Sequence, residues 1–243
     1  VRRFSMWKKE HLELIMSVAL ILCAFLLAGR GWEMALGERV TEGTDQKVVV
    51  VDAGHGGRDP GKVGVDGCLE KDLNLEIAKK VQAILEQQDI KVIMIRDTDK
   101  GLYEEQTSNK KVQDMKNRCA LINETEPDCV VSIHQNSYHE EYVSGAQVFY
   151  YSSSAEGKAL AEALQSELVS YADPENHRQA KANDSYYLLK KTEAPIAIVE
   201  CGFLSNWEEA AKLQDDGYQS RVAWAVSMGI LTYLNGFVDF SVP

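Results

Sequence analysis

Four side chains that can bind a metal or move a proton stand at positions that the local sequence marks out. His55 lies in DAGHGG, where glycines on both sides allow a sharp turn and leave the imidazole accessible. His134 directly follows the apolar run CVVSI, and Glu200 directly follows PIAIV, while Glu70 opens a helical pattern behind a glycine-rich loop. Two imidazoles and one carboxylate with an open fourth position are a ligand set of catalytic zinc. The sequence therefore indicates zinc on His55, Glu70 and His134, with Glu200 left for proton transfer.

Three of these residues also have ordinary structural interpretations. His55 fits a catalytic histidine beside a carboxylate, a metal ligand oriented by Asp52, or a hydrogen-bonded histidine in a glycine turn. A lone histidine at a strand end, such as His134, is usually structural, and the helix dipole favours an acid such as Glu70 in a first turn. It is their combination that favours a metal site.

Glu200 is the most unusual carboxylate of the sequence. Apolar residues precede it in PIAIV and follow it in CGFL, which predicts burial. Burial raises the pKa of a carboxyl group and suits it to general acid–base catalysis. A water molecule activated by zinc would give its proton to Glu200, which would then protonate a leaving amine.

The elements that must position these side chains alternate along the chain. Strands are predicted at 47–51, 91–95, 129–133, 146–151 and 195–199, and helices at 70–86, 112–122, 155–171, 206–213 and 218–234. The alternation predicts a single α/β domain with a mostly parallel or mixed sheet sandwiched between helices. In such sheets ligands bind beyond the carboxyl ends of strands, which is where His55, His134 and Glu200 fall.

Charge and cysteine content exclude some classes of protein. The 243 residues carry a net charge of −11, and nucleic acid is not an expected partner of so acidic a chain. The five cysteines show no CxxC spacing, so a zinc finger is not indicated. Most are expected to be buried free thiols, with Cys129 and Cys201 in strand-like runs.

The N-terminal segment has the pattern of an export signal. Two arginines and two lysines precede the uncharged apolar run 14–29, which fits either a cleaved signal peptide or an uncleaved membrane anchor. Either places the remaining chain outside the cytoplasm. The predicted organisation is a signal or anchor at 1–34, a linker at 35–46, a catalytic domain at 47–236 and a tail at 237–243.

Four segments in this order, VVVVDAGHGGRDPG, GCLEKDLNLEIAKKV, VVSIHQNS and PIAIVECGFLSNWEEAAKL, resemble the successive motifs of the zinc-dependent N-acetylmuramoyl-L-alanine amidases, the type 3 cell-wall amidases. The resemblance runs over 47–234. It implies zinc on His55, Glu70 and His134, catalysis by Glu200, and hydrolysis of the amide between N-acetylmuramic acid and L-alanine in peptidoglycan.

The resemblance also implies supporting residues. Asp52 and Asn136 flank ligands and are expected to support them. Arg178 falls where the family often has a basic residue ahead of its last core strand, which makes it a candidate substrate contact. Ala53 stands where proline is common, and Gln135 where many members have a small residue, which would narrow the site. The exposed loop residue His177 is a weaker candidate for a substrate contact.

A narrower resemblance is to the germination-specific, spore-cortex amidases, carried by segments such as SGAQVFYYSSSAEGKALAEALQSEL. It implies a role in forming muramic δ-lactam in the spore cortex, with an accessory exported protein as a candidate partner. Three alternatives stay open: a zinc peptidase, although HExxH is absent; an inactive peptidoglycan-binding module; and a thiol hydrolase that uses Cys201.

Overall fold

The computed structural model describes residues 46–236 and, ahead of them, Met16 alone. The predicted export segment, linker and tail therefore lie almost wholly outside the described residues. The strands are β1 (Val48–Ala53), β2 (Lys91–Met94), β3 (Cys129–Asn136), β4 (Gln147–Tyr150), β5 (Lys181–Ala182) and β6 (Ile196–Phe203). The helices are α1 (Glu70–Glu86), α2 (Lys110–Thr125), α3 (Ala155–Glu167), α4 (Tyr187–Lys191), α5 (Trp207–Gln214) and α6 (Asp216–Leu234). No helix within the described part of the chain is long and apolar enough to cross a membrane.

The strands form one mixed sheet in the order β2-β1-β3-β6-β4-β5. Strands β2, β1, β3 and β6 run parallel, whereas β4 pairs antiparallel with β6. The predicted α/β fold is thus confirmed. The short elements β5 and α4 were not predicted, because two exposed residues and a single helical turn have too little hydrophobic periodicity to stand out.

Each face of the sheet buries its own core, because side chains alternate along a strand. Val49, Val51 and their counterparts on β3 and β6 pack against α1, α3 and α6. Val50, Val130 and Ile198 face the other side, where α2 and α4 supply the covering side chains. Further along the same strands, this second face carries the polar residues Asp52, Ser132, His134 and Glu200.

Helix and cysteine predictions hold with small differences. Helix α2 begins two residues earlier than predicted, because the Asn109 side chain accepts a hydrogen bond from the Val112 backbone at 3.1 Å and caps it. Helix α3 ends at Glu167 and continues as a π-helical turn, Leu168–Ala172. Cys68, Cys119, Cys129 and Cys201 are free thiols and all but Cys68 are buried, while Cys23 lies outside the described residues.

Candidate metal and catalytic centre

The three predicted ligands meet at one point. The Glu70 Oε1 atom lies 3.2 Å from His55 Nε2 and 2.9 Å from His134 Nδ1. One donor atom from each of the three residues lies within 4.8 Å of the other two. Donor atoms that each lie about 2.0–2.2 Å from a shared zinc ion are separated from one another by distances similar to those in this cluster. The geometry and the donor types, two nitrogens and one oxygen, therefore fit a zinc ion.

Glu70 is the buried centre of this cluster. It is only 2% exposed and is the first residue of α1. Its Oε1 accepts a hydrogen bond from the Gln135 backbone at 3.1 Å, and its Oε2 accepts one from the Lys62 backbone at 2.7 Å. Burial alone would raise the pKa of Glu70, but its hydrogen bonds to His134 and His55 outweigh burial and lower it. The group is therefore an ionised, oriented carboxylate.

His55 is oriented by a carboxylate that the sequence did not single out. Its Nδ1 lies 3.0 Å from Asp59 Oδ2, on the side of the ring opposite Glu70. Burial lowers the pKa of His55, but the bonds to Asp59 and Glu70 outweigh it and raise the pKa to about 9. A carboxylate on the far nitrogen is the usual support of a metal-binding histidine. The interpretation of His55 as oriented by Asp52 is wrong, since Asp59 does this.

Asp52 instead anchors a buried arginine. Its Oδ1 accepts a short hydrogen bond from Arg118 Nη1, and its Oδ2 accepts one from the Ser132 hydroxyl at 2.6 Å. Burial raises the pKa of Asp52, but the Arg118 charge outweighs it and the pKa is lowered. Asp52 therefore supports the centre indirectly, through Arg118.

Two buried arginines hold the loop that carries His55. Arg118 of α2 donates to the backbone oxygens of Ala53 at 3.1 Å and His55 at 2.6 Å. Arg96, which follows β2, donates to Ala53 at 2.8 Å and to the Gly54 oxygen at 3.1 Å. These bonds oppose the cost of the left-handed backbone of His55, whose φ is 64°. Three consecutive carbonyls are thus fixed by cationic side chains.

Two glycines make room for the ligand side chains. A Cβ atom on Gly54 would lie 2.2 Å from the His134 ring. A Cβ on Gly61, where φ is +69°, would lie 2.5 Å from Glu70 Oε2 and 2.8 Å from His55 Cδ2. Both positions require glycine for close approach, and Gly61 requires it for its backbone conformation as well.

Glu200 lies beside the cluster on the adjacent strand. It pairs directly with His134 across β3 and β6, one step before a bulge in this pairing. It is 6% exposed, and the Tyr186 hydroxyl donates to its Oε1 at 3.0 Å, while Oε2 is buried without a partner among the described residues. Burial raises the pKa of Glu200, although the charge of His134 opposes this. The predicted burial and its electrostatic consequence are confirmed.

One cavity of about 720 Å³ is lined by the three predicted ligands and Glu200 together. Its walls are the loop after β1, the first turns of α2 and the start of α4. Asn136 also lines it, with its side-chain oxygen accepting a hydrogen bond from the Ser137 backbone at 2.8 Å. The cavity gives a substrate access to the cluster and to Glu200 at once.

Arg178 lies outside the lining of this cavity. Its guanidinium stacks on the Phe203 ring, 4.7 Å from the centroid, and donates to the Ser144 backbone at 2.7 Å and to Gln147 Oε1 at 3.1 Å. Its role as a substrate contact stays a prediction, as does that of the exposed His177.

The side chains of Cys201 and Gln135 are both buried. Cys201 is fully buried in the core formed with α1, α3 and α6, and burial raises the pKa of its thiol. This environment opposes the thiolate that a cysteine hydrolase needs. Gln135 is buried, and its side-chain amide donates to Asn74 Oδ1 at 3.2 Å. Its side chain therefore braces α1 against β3.

Comparison with known proteins gives concordant matches. Residues 49–232 match the family described as N-acetylmuramoyl-L-alanine amidase. The chain is 40% identical over 190 residues to the germination-specific N-acetylmuramoyl-L-alanine amidase of Bacillus subtilis, covering 77% of this chain and 79% of that protein. Among solved structures it is similar to the CwlD amidase of Clostridioides difficile in complex with the GerS lipoprotein, with 39% identity, a TM-score of 0.76, and coverage of 78% and 99%. It is also similar to the amidase AmiC2 of Nostoc punctiforme, with 33% identity, a TM-score of 0.69, and coverage of 79% and 99%.

Proposed function

The chain belongs to the N-acetylmuramoyl-L-alanine amidase family, and from this premise we propose that it cleaves peptidoglycan with one zinc ion held by His55, Glu70 and His134. Glu200 is the general base and acid of the reaction. The observation that carries this assignment is the arrangement of three converging donors and one buried, partly unpartnered carboxylate in a single cavity.

The residues of the chain divide the chemistry between them. A zinc ion bound by this donor set supplies Lewis acidity to the scissile carbonyl and to a water molecule. Glu200 accepts a proton from the attacking water through the unpartnered Oε2. The C–N bond to L-alanine then breaks, and Glu200 returns the proton to the leaving nitrogen. One positioned carboxyl group thus serves as base and then as acid.

Two variants separate metal binding from proton transfer. We expect Glu200→Gln to keep its zinc and lose about 10²–10⁴-fold in kcat, the contribution of a positioned acid–base group. We expect His134→Ala to lose zinc, because one of three donors is gone. Elemental mass spectrometry measures the zinc content of each variant. Its activity is measured as the release of stem peptides from purified peptidoglycan. Near-normal release by Glu200→Gln would show that this mechanism is wrong.

These two measurements, together with an assay on peptides that lack muramic acid, decide between the remaining alternatives. An inactive binding module would hold zinc and peptidoglycan without cleaving either native or synthetic substrate. A zinc peptidase would cleave peptides that lack the muramic acid. The complete ligand set together with Glu200 favours the amidase over both.

We further propose that the substrate is spore cortex and that cleavage prepares muramic δ-lactam. The similarity to the germination-specific amidase of Bacillus subtilis supports this assignment. Spores that lack the protein are expected to contain cortex muropeptides without δ-lactam, as measured by chromatography and mass spectrometry. Normal δ-lactam in such spores would restrict the protein to another peptidoglycan.

An exported site of action and an exported partner follow from the same assignment. Peptidoglycan lies outside the cytoplasm, and the basic start with the apolar run 14–29 is the proposed signal or anchor. The CwlD amidase is described in complex with a lipoprotein, which supports an accessory lipoprotein for this chain too. Co-purification of the exported chain with such a lipoprotein is the test.

A further inference from the structure

The two carboxylate oxygens of Glu200 differ in their surroundings. Oε1 accepts a hydrogen bond from the Tyr186 hydroxyl at 3.0 Å. Oε2 is buried, and no described residue donates to it. Buried polar atoms are nearly always hydrogen-bonded. An unpartnered carboxylate oxygen on a cavity wall therefore indicates that a molecule bound in the cavity donates a hydrogen bond to it. The tyrosine hydroxyl thus occupies one oxygen and leaves the other for the reaction.

Tyr186 is itself held firmly on both its backbone and its ring. Its backbone N–H donates to Asn183 Oδ1 at 3.3 Å, and the Ser185 backbone donates to the same oxygen at 2.8 Å. The Asn183 backbone in turn donates to the Tyr150 oxygen at 2.8 Å, which fastens this turn to the end of β4. The Tyr186 ring packs edge-on against Phe149 of β4, with centroids 5.7 Å apart. Since β4 pairs with β6, the hydroxyl is fixed relative to the strand that carries Glu200.

A glutamate needs such support because its terminal torsion is soft. Rotation about the bond to the carboxylate has broad, roughly two-fold preferences, and packing alone does not select one orientation. The Tyr186 hydroxyl is partly buried, and Glu200 is its hydrogen-bond partner among the described residues. The hydrogen bond therefore selects the orientation of the carboxylate.

We propose that Tyr186 is a positioning residue for the amidase reaction. Its hydroxyl holds the Glu200 carboxylate so that Oε2 stays available to the water and to the leaving nitrogen. The proposal rests on the proposed role of Glu200, and it assigns Tyr186 no contact with substrate or metal.

The test is a double-mutant cycle between Tyr186→Phe and Glu200→Gln. Tyr186→Phe keeps the ring and its packing on Phe149, so we expect normal zinc content and melting temperature. We expect kcat to fall about 10-fold with KM unchanged, a part of what a positioned acid–base group contributes. In the Glu200→Gln background the same substitution should change kcat less than about 2-fold, since no carboxylate remains to be oriented.

The matched control is Tyr142→Phe. The Tyr142 hydroxyl also donates to a carboxylate, that of Glu140, but this tyrosine is 78% exposed and does not line the cavity. Its substitution should leave kcat and KM unchanged.

The outcomes that overturn the proposal are distinct from those that overturn the proposed function. A rise in KM at normal kcat would mean that Tyr186 contacts substrate, and an equal loss in both backgrounds would mean that it acts on another group. Normal kcat in Tyr186→Phe together with an impaired Glu200→Gln would disprove the positioning role of Tyr186 and leave the role of Glu200 intact. A fully active Glu200→Gln would instead overturn the mechanism on which the inference depends.

Discussion

The candidate ligands and Glu200 are supported by partners that have no motif of their own. Asp59 fixes His55, the Lys62 backbone fixes Glu70, and Tyr186 fixes Glu200. Metal sites commonly depend on such partners, whose loss costs about 10–100-fold in metal affinity or activity. At the scale of single residues, the centre therefore extends beyond the candidate ligands and Glu200 to the residues that hold them.

Asp59 offers a direct test of this support. We expect Asp59→Asn to weaken zinc affinity by about 10–100-fold, because the amide no longer holds His55 Nδ1 as a carboxylate does. Competition with a chromogenic chelator measures this change. Asp66→Asn is the control, since Asp66 lies in the same loop but accepts hydrogen bonds from Cys68 and Gln214. Unchanged zinc affinity in Asp59→Asn would mean that the loop backbone alone fixes His55.

The sequence predicted which candidate residues would meet at one site but missed most of their partners, for a physical reason. His55 follows β1, and His134 and Glu200 directly follow the apolar runs of β3 and β6, although both strands continue past them; their placement can therefore be deduced from the alternation of strands and helices. Arg96 and Arg118 act through contacts more than 40 residues distant along the chain, and an arginine near a strand or in a helix looks like any solvated charge. Only the assembled fold shows that both are buried.

At the scale of elements, the site lies where strands β3 and β6 and the loop after β1 approach the start of helix α1. Strand β3 brings His134 opposite Glu200, while α1 begins with Glu70 pointing back toward the ends of β1 and β3. The path between β1 and α1 passes through the glycine-rich loop, which must run close to both histidines. The loop therefore tolerates side chains poorly where it touches a ligand.

Gly54 is the position where this constraint is sharpest. We expect Gly54→Ala to displace the His134 ring, since the new Cβ would lie 2.2 Å from it, and to lose most bound zinc. Metal content and the free energy of unfolding in urea are the measurements. Gly67→Ala is the control, because Gly67 has a positive φ of 91° but nothing within 4 Å of an added Cβ. The control should lose about 1 kcal/mol of stability from backbone strain and keep its zinc. Full zinc occupancy in Gly54→Ala would show that the loop can move away from the ring.

At the scale of the whole molecule, the cavity is less acidic than the chain as a whole, because five basic and five acidic side chains line it. The chain carries a net charge of −11, yet Arg58, Lys62, Lys110 and Lys111 all line the cavity. Arg58 and Lys110 share Glu105 as a partner, at 3.2 and 2.6 Å. Lys111 is 74% exposed and only 3.7 Å from Asp59, and Lys62 forms no ion pair within the described range. Among the described residues, Lys111 thus has only this long, exposed pair with Asp59, so both lysines can still meet an anionic ligand in the cavity.

Lys62 and Lys111 allow a prediction about how the amidase recognises its substrate. Stem peptides carry carboxylates, so we expect the double variant Lys62→Gln/Lys111→Gln to raise KM about 3- to 10-fold with kcat nearly unchanged, because rim charges act on encounter and binding. The KM of the wild-type protein should rise with salt, and that of the variant should rise less. The control is Lys79→Gln/Lys91→Gln, which removes the same charge from exposed positions that do not line the cavity. A substrate whose carboxylates are amidated should bind both proteins equally. If the variant lost affinity for the amidated substrate as well, the lysines would act through packing, and charge would have no part in recognition.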